Sequence, residues 1–142
     1  ISNLIAQKIQ INTETLQYSV SNSNKTYVLF LPENEIHELG LLYLNYELVL
    51  RGHHTIYLGQ SLPLDNLDYF FKNGREICFV TSMTVMPYDD KIEGYFKEID
   101  SILDKSKHQL IAIGRKTHLV DKSLFKSNIE LHDTVSDLLK EL

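Results

Sequence analysis

The chain has no tryptophan, one cysteine, two methionines and three prolines among its 142 residues. A lone Cys78 cannot form an internal disulfide, and such cysteine usage fits a reducing, cytoplasmic setting. No apolar run approaches the roughly 20 residues needed to span a bilayer, so no membrane partner is expected. Positive charge is also short. Fourteen Lys and Arg face 19 Asp and Glu, a formal charge of -5, and direct nucleic-acid binding would need a basic face. The first residue is Ile1 rather than methionine, so the chain reads as a piece of something longer, and any DNA contact would belong to a domain absent from it.

What remains is an ordinary globular balance, 43% hydrophobic and 23% charged, in a length that suits one domain. Ile1, Leu4, Ile5 and Ile9 have helical spacing, and the polar stretch from Ser19 to Lys25 reads as a linker. Residues 1–25 are therefore expected to be an N-terminal helix and linker, and residues 26–142 an α/β domain. Tyr27–Leu31, Thr55–Leu58, Ile77–Thr81, Leu110–Ile113 and Ile129–Leu131 predict five strands, most of them continuous apolar runs of the kind buried on both faces. Ile36–Leu50, Leu64–Lys72, Asp89–Asp104 and Thr134–Leu142 predict the helices between and after them, with Thr134 or Asp133 as the last cap. Strands alternating with helices predict a parallel sheet covered on both faces, a flavodoxin-like (Rossmann-like) three-layer fold with strand order 2-1-3-4-5.

In that order ligands bind at the carboxyl ends of the strands, where the chain reverses direction. Three polar turns fall there: Pro32 to Gly40, Thr81 to Thr84, and Gly114 to His118. The first contains Glu35-x-His37-x-x-Gly40. A carboxylate two residues before a histidine can take one ring N–H and raise the basicity of the other nitrogen, which makes a better metal ligand. Gly40 lets a planar group approach the backbone. The plain alternative is a surface histidine at a helix start among carboxylates favoured by the helix dipole.

The stretch Val28–Leu64 resembles the cobalamin-binding domains of methionine synthase and the mutases, and most nearly the sensory domains of MerR-type transcription regulators. The buried strand, Glu35-x-His37-x-x-Gly40, the long apolar helix ending at Arg51-Gly52, and Ile56 to Leu67 carry the likeness, with Ser82-Met83-Thr84 as the second family element. The resemblance implies cobalamin held base-off, with His37 as lower axial ligand to cobalt and Glu35 as its orienter. It implies that Leu39 and Gly40 lie under the corrin, that Ser82 holds the nucleotide tail, and that Thr84, Val85 and Met86 line its channel. The third family element is Gly-Gly, and here it is Gly114-Arg115, an arginine able to fill the channel, point outward or hold the tail phosphate. The implied function is a non-enzymatic, self-associating ligand sensor. The alternatives are a degenerate domain used in oligomerisation and a cobalamin-carrying module of a mutase or methyltransferase.

Rival chemistries lack their residues. A phosphoacceptor receiver domain needs an aspartate where Thr81-Ser82 stands, a flavodoxin phosphate loop would not be rich in glutamate, and no Gly-x-Gly-x-x-Gly exists. His53, His54, His108, His118 and His132 read as surface or helix-end residues, and Cys78 as a small core residue.

Overall fold

The computed structural model describes residues 4–9, 25–60, 62–73, 75–103 and 107–142. Residues 4–9 are helical (α1). The expected linker lies almost wholly outside the described residues. Then follow β1 (Lys25–Phe30), α2 (Leu39–Leu50), β2 (His54–Gly59), a 3₁₀ segment (Leu64–Asn73), β3 (Glu76–Ser82), α3 (Ile92–Leu103), β4 (Gln109–Ile113), two short 3₁₀ turns, β5 (Asn128–His132) and α4 (Val135–Leu139). The five strands form one parallel sheet in the order β2-β1-β3-β4-β5. This is the expected architecture.

Alternation along the central strands builds the layers, because successive side chains point to opposite faces. From β1, Tyr27, Leu29 and Leu31 join Leu41, Leu44, Leu48 and Leu138 of α2 and α4 on one face. Val28 and Phe30 go to the other face, where they meet Leu67 of the 3₁₀ segment and Ile92, Phe96, Ile99 and Leu103 of α3. Those four α3 residues recur at three- and four-residue spacing, which is one stripe of a helix. Cys78 is fully buried in the first layer, and burial pushes its thiol up to about 12, as suits an inert core residue.

Several boundaries differ from expectation, each for a local reason. The strand expected to open at Tyr27 begins at Lys25, because Lys25 and Thr26 already pair with Glu76 and Ile77. The short helix expected at Leu64–Lys72 is present, in 3₁₀ form, over Leu64–Asn73. Helix α3 starts at Ile92, after a turn in which Lys91 N–H reaches the Tyr88 carbonyl. Helix α4 is confined to Val135–Leu139, and of the two candidate caps it is Thr134 that accepts the Asp137 N–H.

The largest shift matters most. The helix expected from Ile36 begins only at Leu39, after a turn in which the Glu35 carboxylate accepts the N–H groups of Ile36 and His37; Leu42 N–H then donates to the Glu38 carbonyl. Its far end closes with paired bonds, His53 N–H to the Leu48 carbonyl and Gly52 N–H to the Val49 carbonyl, with Gly52 at φ 86°.

Candidate functional site

The turn after β1 is shaped by Glu35, whose side chain is wholly buried. Glu35 N–H donates to the Pro32 carbonyl across Asn34, which takes φ 67°, and this reversal turns the carboxylate inward. Both oxygens are saturated. Oε2 accepts the backbone N–H groups of Ile36 (3.0 Å) and His37 (3.3 Å) and lies 2.9 Å from His37 Nδ1. Oε1 accepts three successive N–H groups from the turn after β3: Thr84 (2.7 Å), Val85 (2.7 Å) and Met86 (3.2 Å). One carboxylate thus ties together the two loops at the sheet's reversal point.

Its electrostatics follow from that count. Burial pushes the carboxyl upward, but the hydrogen bond from His37 and those from Val85, Thr84 and Met86 outweigh it and hold Glu35 down to about 2. An ionised carboxylate only accepts, so His37 Nδ1 carries a proton and donates it. In the neutral ring, Nε2 then keeps its lone pair. The His37 side chain is 55% exposed, so that nitrogen stands on an accessible ring fixed by a buried one.

A cavity of about 430 Å³ lies beside it, lined by His37, Leu39, Gly40, Ser82 and Thr84, with Ile36, Glu38, Gln60 and Ala6 completing the wall. Five of the six expected site residues therefore converge: His37, Gly40, Ser82 and Thr84 line the cavity, and Glu35 holds His37 from behind. Gly40 is exposed, and a Cβ there would make only an ordinary 3.8 Å contact with Val135, so internal packing does not itself demand glycine. Ile36 and Leu39 are exposed apolar side chains at the cavity.

The sixth residue, Gly114, has a different place. It takes φ 127°, and a Cβ there would come within 2.3 Å of the Met83 carbonyl oxygen. Its glycine is demanded by the close approach of two backbones, with Met83 N–H donating to the Ile113 carbonyl alongside. Gly114 is not part of the cavity wall, and neither is Arg115, which is exposed and opens a 3₁₀ turn. Of the three orientations open to Arg115, the outward one is observed. Val85 and Met86, expected to line a channel with their side chains, instead contribute backbone N–H groups to Glu35.

Ala6 and Gln60 were missed. Gln60 directly follows β2, so the carboxyl-end rule contained the signal for it. Ala6, half-buried in α1, carried none, since a single alanine has no distinguishing chemistry.

No protein-family model matches the chain, and no curated protein matches it either. Solved structures do. A Methanosarcina barkeri monomethylamine corrinoid protein superposes with TM-score 0.66 and 13% identity, over 94% of this chain and 63% of that one. The methanol:cobalamin methyltransferase complex MtaBC, also from Methanosarcina barkeri, gives TM-score 0.60 and 19% identity over 89% of this chain and 48% of that one. The chain shares their fold. It spans between about half and two thirds of their length. Among the described residues no helix is long and apolar enough to cross a membrane.

Proposed function

We propose that the chain is a cobalamin-holding module in which His37 is the lower axial ligand to cobalt. The observation that carries this is the Glu35–His37 pair: a buried, fully hydrogen-bonded carboxylate accepts the Nδ1–H hydrogen bond and leaves the Nε2 lone pair free to bind a metal on an exposed ring. The residues around it suit such a group. Gly40 leaves the backbone bare in the cavity wall, Ile36 and Leu39 offer apolar surface to a flat macrocycle, and Ser82 supplies a hydroxyl in the same wall. When bound, the corrinoid supplies a cobalt ion with an exchangeable upper ligand. The chain's own part is to orient the imidazole, hold its proton at Nδ1 and seat the lower face. We read the module as a non-catalytic holder of the group.

Two settings suit such a module. The fold likeness to the corrinoid protein and to the methyltransferase complex favours a carrier that presents the cofactor to a partner enzyme. The residue pattern from Glu35 to Leu67 favours the sensory half of a self-associating MerR-like regulator. Both need the same axial imidazole, and both predict the same first experiment. The purified chain, mixed with hydroxocobalamin and passed through gel filtration, is expected to retain colour with the spectrum of a histidine-ligated, base-off corrinoid. His37→Ala is expected to lose that spectrum. No retention by the unsubstituted chain overturns the cofactor assignment and leaves a domain that kept only the fold.

A further inference from the structure

A second donor cluster lies at the other edge of the sheet, three strands from β1. Glu130 and His132 are two residues apart on β5, so their side chains leave the strand on the same face. The carboxylate of Glu141, just past α4, meets them there. His132 Nε2 lies 3.5 Å from Glu130 Oε2 and 3.8 Å from Glu141 Oε2, and the three atoms all fall within 4.8 Å of one another.

The histidine makes this more than a pair of surface carboxylates. Its side chain is only 9% exposed, and its Nε2 is buried with no hydrogen-bond partner among the described residues. Buried ring nitrogens are ordinarily paired, and an unpaired one aimed at two carboxylates calls for an explanation. The spacings are long for direct hydrogen bonds, which favour about 2.7–3.2 Å. They suit a shared ion better. Two donors bound at about 2.1 Å in tetrahedral geometry stand roughly 3.4 Å apart.

We propose that Glu130, His132 and Glu141 bind one divalent transition-metal cation, with zinc as the best match. An imidazole with two carboxylates suits zinc rather than calcium or magnesium, which prefer all-oxygen shells. Three protein donors leave a fourth position for water. Glu141 is largely exposed and is the one ligand outside β5, so the ion would fasten the end of the chain's last helix to the edge strand. His132 also receives the Gly114 N–H on its backbone carbonyl, so the fastened strand end is the one that supports the turn after β4.

The test uses the full chain stripped with chelator. It is titrated with Zn²⁺ by calorimetry and with Co²⁺ while visible d–d bands are recorded. One equivalent is expected to bind in the unsubstituted chain and equally in His37→Ala, which removes the exposed imidazole of the first site. His132→Ala is expected to weaken binding on the order of a hundredfold, since loss of even an outer-shell partner costs 10–100-fold. Glu141→Gln, at an exposed position that does not threaten folding, is expected to weaken it about tenfold. Absence of Zn²⁺ uptake overturns the proposal. So does uptake that survives both His132→Ala and Glu141→Gln, or that is lost in His37→Ala.

Discussion

Replacing Glu35 by glutamine keeps the shape of the side chain and removes what the site depends on. The carboxylate accepts three donors on each oxygen. A carboxamide offers one oxygen, and its NH₂ must face either the Thr84–Met86 amides or the Ile36–His37 group. Three donors then meet a donor. At about 1 kcal/mol for each net hydrogen bond lost, the variant is about 3 kcal/mol less stable. The carboxyl itself gives the same figure: a fall from 4.5 to about 2, at roughly 1.4 kcal/mol per unit, corresponds to about 3 kcal/mol. For a chain of this length, about 3 kcal/mol lowers Tm by roughly 10 °C. The pH dependence carries the sign. A carboxyl depressed on folding contributes stability that is complete above about 4.5 and disappears as pH falls toward about 2. Urea unfolding followed by circular dichroism should therefore show a gap of about 3 kcal/mol between the two proteins near neutrality, more than half of it gone by about pH 3. A gap below about 1 kcal/mol near neutrality, or one that stays constant from about pH 6 to about pH 3, would refute the reasoning.

Three further outcomes are expected. Gly114→Ala places a Cβ 2.3 Å from the Met83 oxygen at φ 127° and should cost about 3 kcal/mol in urea unfolding; a loss under 1 would mean that the two backbones separate readily. Arg115→Gly alters an exposed residue and should change stability by about 1 kcal/mol or less, with hydroxocobalamin retention unchanged; gained retention would show that the guanidinium obstructs the site. His108 accepts the Ile77 N–H on Nδ1, and burial, helped by Lys107, lowers its pKa, so an NMR titration should place it below 6.5, with stability falling as pH drops through that region; a midpoint above 6.5 would contradict the buried acceptor.

The sheet was legible because its central strands are covered on both faces. Val28–Leu31 and Ile77–Val80 are buried and apolar at every position, and such runs bounded by turn residues leave little choice of element. The Glu35–His37 pairing was legible from spacing alone. Its other half was not. The amides of Thr84, Val85 and Met86 lie about fifty residues away and donate from the backbone, so their side chains need carry no mark of the contact. The late start of α2 was hidden as well: Ile36 fits the helical pattern, yet it belongs to the turn that buries the Glu35 carboxylate, and the helix opens only after it. Gly114 was legible as a special residue, but its close approach to the Met83 backbone was not, because a glycine needed for backbone proximity looks the same in sequence as one needed for a ligand.

The double grip of Glu35 means that the histidine has no independent aim. To swing the imidazole by even a fraction of its width, the carboxylate must rotate, and rotation disturbs three amides at the foot of the segment leading to α3. Any guest that pulled on the ring would therefore be felt at the turn beyond the neighbouring strand, where the chain sets off toward α3, without a single contact of its own there.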